Sequence, residues 1–85
     1  MSRFTIVELR RMLETSAGKV DGIDWEDTAT QQLSFDEIGY DSLALLELSA
    51  LVQREYSIRI PDEAIAELET PASAIAYVND RFAKA

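Results

Sequence analysis

Neither cysteine nor histidine occurs among the 85 residues, and glycine and proline are scarce, at three and two. Without cysteine there is no disulfide, no thiol nucleophile and no cysteine-based zinc site. Without histidine the commonest general base and the commonest metal ligand are missing as well. Most small catalytic constellations are therefore excluded. Basic side chains are also few, eight against 16 acidic ones, giving a formal net charge of −8. That sign opposes nucleic acid and anionic lipid, both of which are bound by neutralising negative charge, and favours basic protein partners. No long apolar run is present: Met1 to Leu13 intersperses apolar and charged residues and resembles neither a signal peptide nor a membrane span, so the expected address is the cytosol. What remains is a chain 47% apolar and long enough for one domain, residues 1–85, whose small core must hold without disulfide or metal.

Thr5 and Glu8 form a capping-box pair at the N-cap and N3 positions of a first helix, with Ile6, Leu9, Leu13 and Ala17 on one face and Gly18 as its stop. From Gly18 to about Ser34 the period is lost, and Asp21-Gly22, Asp24, Glu26, Asp27 and Thr28-Ala29-Thr30-Gln31-Gln32 read as a long loop. A loop of that length must be pinned, and Val20, Ile23, Leu33 and Phe35 are its expected anchors; Trp25 is either a further anchor or exposed. Phe35 to Ile38 suits a single turn before Gly39.

Asp41 then caps a second helix from Ser42 to about Tyr56. Its residues at 100° intervals place Leu45, Leu48, Val52 and Tyr56 on a core stripe, with Leu43, Leu46 and Ala50 on another side beside Glu47 and Arg54. The helix is apolar on two sides, more than one core contact requires. After Ile58-Arg59-Ile60 and Pro61, Asp62 is placed to cap a short third helix with Ala64, Ile65 and Leu68. Thr70-Pro71 supplies a cap and an N1 proline for the last helix, with Ile75, Val78 and Phe82 inward. The expected fold is all-α: a bundle of three principal helices and one short one, with the long loop between the first two.

The segment Gly39-Tyr40-Asp41-Ser42-Leu43-Ala44-Leu45-Leu46-Glu47-Leu48 is the most specific in the chain. It resembles the attachment motif of acyl carrier proteins. The resemblance extends over nearly the whole chain, through the long first loop, the Ile60-Pro61-Asp62 sequence before a short helix and Thr70-Pro71 before the last one. It implies an acyl-carrier-type bundle in which Ser42 receives a 4′-phosphopantetheine arm from coenzyme A, and Asp41 takes part in transferase recognition as well as capping. The residues fit that chemistry in their own right, because a helix N-terminus has unpaired N–H groups and a positive dipole end that favour an attached phosphodiester. In the plain structural account, Asp41 and Ser42 only cap. A hydrolytic role for Ser42 would need an activating base and an oxyanion hole, and the chain offers only Lys19 and Lys84 as lysines and no histidine.

Residues 34–69 hold nine acidic and two basic side chains, so −7 of the total −8 lies there. Leu43, Leu46, Glu47 and Ala50 are the expected docking stripe for a basic partner patch, unless the leucines are spent on packing. Asn79 falls between Ile75 and Phe82 and needs hydrogen-bond partners. Either it binds loop backbone, or with Ser49 and Arg59 it contacts the arm or an oxygenated chain in a cleft lined by Leu45, Ile60 and Ile75.

Among carriers, the motif is most similar to those of dissociated, type II synthases of aromatic polyketides. Fatty-acid carriers place an acidic residue directly after Asp-Ser-Leu, where this chain has Ala44, expected to remove a charge from the docking face. The resemblance implies a monomeric, non-catalytic carrier of malonyl units and growing chains as thioesters. Its implied partners are a phosphopantetheinyl transferase, a malonyl-loading enzyme, a ketosynthase/chain-length-factor pair, a ketoreductase and cyclases, with no metal site. The alternatives are a fatty-acid or aminoacyl/peptidyl carrier, or an unmodified acidic helical adaptor.

Overall fold

The computed structural model describes residues 4–20 and 22–84. Asp21 of the first loop, the residues before Phe4, the Lys84 side chain and Ala85 lie outside the described residues. Helix α1 spans Ile6–Ala17 and opens with the expected capping box: Thr5 Oγ1 accepts from Val7 N–H, and the Glu8 carboxylate accepts from Thr5 N–H. Its buried stripe is Leu9, Met12 and Leu13, whereas Ile6 is only partly buried and Ala17 is exposed. The centre of the expected stripe is thus buried as read, with Met12 added beside it, while its two ends are not.

The first loop is not structureless. Asp27 caps a one-turn helix, α2 (Thr28–Gln31), by accepting from Ala29 N–H at 2.9 Å. Trp25 is a true anchor at 3% exposure, with its carbonyl taking a hydrogen bond from the Gln31 side chain. Leu33 is 38% exposed and anchors nothing, while Val20 and Ile23 pack at the core edge and Phe35 inside it. Helix α3 (Phe35–Ile38) is the expected single turn.

Helix α4 (Ser42–Tyr56) packs chiefly on α1 and is the longest element. Leu48 and Val52 are buried, while Leu45 and Tyr56 lie partly buried at either end of the stripe. Burying one such leucine stabilises the fold by about 1.5–3 kcal/mol. The segment Asp62–Glu67 is a 3-10 helix, with Pro61 at its cap position and no side-chain cap bond, so Asp62 is its first residue and not its cap. The proline ring lacks the N–H and supplies an extended backbone, which starts the turn without a side-chain acceptor. The last helix, α5 (Pro71–Lys84), begins with Thr70 Oγ1 accepting from Ser73 N–H and Ser73 Oγ accepting from Thr70 N–H. Ala74 and Val78 carry its buried line; Ile75 and Phe82 are half-buried beside it. The described elements contain no strand.

Candidate functional site

Ser42 stands at the first position of a helix, held there by a short chain of local causes. Ser34 and Glu37 cap α3 reciprocally, and Gly39 ends it with φ 126°, a value a side chain rarely tolerates. Gly39 and Tyr40 both donate their N–H groups to the Phe35 carbonyl, at 2.9 and 2.8 Å. The chain then extends through Asp41, whose carboxylate accepts from Ala44 N–H at 2.9 Å and whose carbonyl accepts from Leu45 N–H at 3.1 Å. Asp41 is therefore the N-cap. It leaves the N–H groups of Ser42 and Leu43 without intrahelical acceptors, at the positive end of a 15-residue helix. The Ser42 side chain is exposed.

Beside Ser42 lies a cleft of about 410 Å³ with apolar lining from Leu45, Ile65 and Ala66 and polar lining from Ser34, Asp36 and Glu69. The Phe35 N–H bonded to the Glu69 carbonyl at 2.8 Å ties α3 to the end of the 3-10 helix and so holds the cleft's two ends together. An arm with amide groups and an apolar body, joined through a phosphodiester, fits this arrangement. The free N–H pair would favour a phosphate carried on Ser42, and the mixed lining would suit an arm with both amide and apolar groups.

Of the residues expected to contact the arm or chain, Leu45 alone borders this cleft. Ile60 is spent in the core at 3% exposure, and Ile75 is half-buried against it. Ser49 is buried with its hydroxyl donating to the Leu46 carbonyl, the backbone bond a helical serine makes when no other partner is near. Arg59 is exposed and borders a separate depression with Gln53 and Glu63. Asn79 has its amide engaged on both sides by the Phe4 backbone, which is the backbone account of this residue. The structure instead brings Ile65, Ala66 and Glu69 to Ser42. The sequence places Ile65 only within the short third helix, and the irregular 3-10 register gives no period from which to place the others.

The four residues expected to dock partners are open to solvent. Leu43 is 63% and Leu46 42% exposed, with Glu47 and Ala50 exposed beside them. Ala44, by contrast, is 7% exposed, so its effect is on packing at the first turn of α4, and the charge expected to be missing from the docking face is not displaced from an open position. Among the described residues no helix is long and apolar enough to cross a membrane.

An exposed serine at a capped helix start, backed by a mixed cleft within an all-α bundle, is an arrangement that suits a covalently attached arm. The chain belongs to the phosphopantetheine attachment site family, whose model matches residues 7–78. It is 35% identical over 82 residues to an anthracycline acyl carrier protein of Streptomyces sp. (strain C5), covering 96% of this chain and 95% of that one. It is 38% identical over 85 residues to the granaticin polyketide synthase acyl carrier protein of Streptomyces violaceoruber, covering 100% and 99%. In three dimensions it is similar to the solution structure of 3-oxo-butyl acyl carrier protein, an intermediate mimic from the actinorhodin polyketide synthase of Streptomyces coelicolor. That match has a TM-score of 0.83 and 38% identity over 99% of this chain and 96% of the other.

Proposed function

We propose that this chain is the acyl carrier of a type II polyketide synthase, with Ser42 as the attachment point of its 4′-phosphopantetheine arm. The observation that carries the reading is the exposed Ser42 hydroxyl at the capped start of α4. The names and near-complete coverage of the relatives support the polyketide assignment. The Ser42 oxygen attacks the pantetheine-side phosphorus of coenzyme A, the bond from that phosphorus to the adenosine bisphosphate breaks, and the hydroxyl proton passes to a base of the transferase. The thiol missing from the sequence thus arrives on the arm.

The chain itself does no bond-making. It is an exchangeable monomeric substrate of other enzymes, at work in the cytosol. A malonyl-loading enzyme charges the thiol, a ketosynthase/chain-length-factor pair extends the chain, and a ketoreductase and cyclases receive it. Leu43, Leu46, Glu47 and Ala50 form the face these enzymes dock on. Tethering makes weak docking sufficient, because the effective concentration of the cargo near the partner's site is set by the arm and not by diffusion.

The test is to offer the holo protein malonyl and aminoacyl donors with their loading enzymes, then a minimal type II ketosynthase. Malonyl loading followed by chain extension is the expected result. Aminoacyl loading alone, or malonyl loading with extension only by a fatty-acid ketosynthase, would replace the assignment with another carrier class.

A further inference from the structure

Between the end of α3 and the start of α4, a single side chain is buried. Gly39 has none, and Asp41 and Ser42 are exposed, but Tyr40 is 3% exposed. Its hydroxyl donates to the carbonyl of Gly18, the residue that ends α1, at 2.9 Å across 22 positions of sequence. Its ring lies 6.3 Å from that of Trp25 in the first loop and meets Phe35 of α3 edge-on at 6.4 Å. Tyr40 also borders the cleft beside Ser42. One residue therefore joins the end of α1, the first loop and α3 directly before the cap of α4.

The backbone around it makes that anchor necessary. Gly39, at φ 126°, has a wide range of accessible conformations, so it is a natural swivel for the turn that follows. The cap bond of Asp41 stays within its own helix and ties the turn to nothing else. The Phe35 carbonyl accepts from Gly39 and Tyr40 on the α3 side only. Among the described residues the Val20 methyls lie beside Gly39, and the hydrogen bond to α1 and the ring contact to Trp25 of the first loop run through the Tyr40 side chain.

We infer that Tyr40 is a positioning residue for arm attachment: it holds the Gly39–Ser42 turn in the one arrangement the transferase reads. This rests on Ser42 being the attachment site. A turn released from that anchor populates the readable arrangement only part of the time, and apparent affinity falls by that fraction. Once docked, the transferase's own contacts restore the geometry. The effect therefore belongs in KM for the apo protein and not in kcat.

The experiment uses the apo protein, coenzyme A, magnesium and a permissive phosphopantetheinyl transferase, with rates followed by intact mass. Tyr40→Phe keeps the ring and its packing and removes only the hydroxyl. KM should rise about two- to tenfold, the range expected for one neutral hydrogen bond, with kcat within twofold of wild type. Val78→Ala, in the core on α5, is the stability control. It should lower the unfolding midpoint at least as far yet leave KM unchanged. Trp25→Leu loosens the same anchor from the loop side without touching the turn and should raise KM in the same direction, which keeps the inference testable should Tyr40→Phe not fold. Amide exchange of Ala44 and Leu45, whose N–H groups are bonded to Asp41, should quicken in the Tyr40 and Trp25 variants and not in Val78→Ala. An unchanged KM in Tyr40→Phe, or an equal rise in Val78→Ala, would overturn the inference while leaving the attachment reading intact. Failure of the wild type to be modified would overturn both.

Discussion

Phe4 and Asn79 bind each other twice: Phe4 N–H donates to Asn79 Oδ1 and Asn79 Nδ2 donates to the Phe4 carbonyl, each at 2.9 Å. The pair joins residues 75 apart in sequence and holds the Phe4 ring, 1% exposed, edge-on to Tyr56 at 5.7 Å. Asn79→Ala strands both backbone groups of Phe4. It should cost about 1–3 kcal/mol in urea unfolding, a loss of several degrees in Tm for a domain of this size. The chemical shifts of a carried 3-oxoacyl chain should not change. A shift of the carried chain with stability intact would return Asn79 to the cargo.

Asp41 serves the helix through one carboxylate oxygen, and the resemblance to acyl carrier proteins implies a second role in transferase recognition. The two roles separate by substitution. Asp41→Ala loses the bond to Ala44 N–H and should lower stability by about 0.5–2 kcal/mol. Asp41→Asn keeps a good cap, so its Tm should stay near wild type while transfer to Ser42 falls. Equal transfer by Asp41→Asn and wild type would confine Asp41 to capping.

Leu43 and Leu46 lie on the open side of α4, opposite in consequence to Leu48, which is 2% exposed. Leu43→Ala and Leu46→Ala should each change stability by no more than about 0.5 kcal/mol, yet slow loading or extension. Leu48→Ala should cost about 2–5 kcal/mol through the cavity it leaves. Loading and extension rates both insensitive to the two surface changes would leave the stripe without a docking role.

The Glu8 carboxylate is held below its ordinary value, first by the Thr5 side chain and then by the Thr5 backbone N–H, both of which favour the ionised form. A lowered folded-state value means that the carboxylate's contribution to stability is present above the unfolded value and is lost as pH falls through the folded one. Thr5→Ala should bring the Glu8 titration, followed by carboxyl NMR, up toward the ordinary carboxylate range. Tyr40 has the opposite pattern of loss. Burial, then the nearby Glu14 charge, raises its phenol, so its contribution holds below the unfolded value of about 10 and is lost as pH rises through the folded one. Tyr40→Phe should remove this alkaline component from the unfolding profile.

The parts of this architecture legible in sequence are those with local causes. Thr5 with Glu8, Asp41 and Thr70 mark helix starts through side chains that reach only two or three residues ahead, and the spacing of Leu48 and Val52 marks the face of α4 turned inward. The place of Ser42 at the start of α4 follows from the same reasoning, whereas its attachment role is what the family resemblance implies, and period alone leaves Leu43 and Leu46 open between docking and packing. What escaped it depends on distant partners. Trp25 is buried because Tyr40 and the Gln31 amide meet it, and Phe4 because Asn79 waits 75 residues away. Ala44 reads as a missing surface charge only by comparison with the acidic residue of fatty-acid carriers, which does not tell whether the position is open in this chain. The cleft residues Ile65, Ala66 and Glu69 lie in or just after a 3-10 helix, whose turn spacing differs from the 3.6-residue pattern used to read the other helices.

The central claim is that Ser42 takes the arm. Incubation of the apo protein with coenzyme A, magnesium and a permissive phosphopantetheinyl transferase, followed by intact mass and peptide mapping, tests it most directly. The account predicts one added phosphopantetheine on the wild type, mapped to the peptide containing Ser42, and none on Ser42→Ala. No added mass on the wild type, or an undiminished addition on Ser42→Ala, would contradict it.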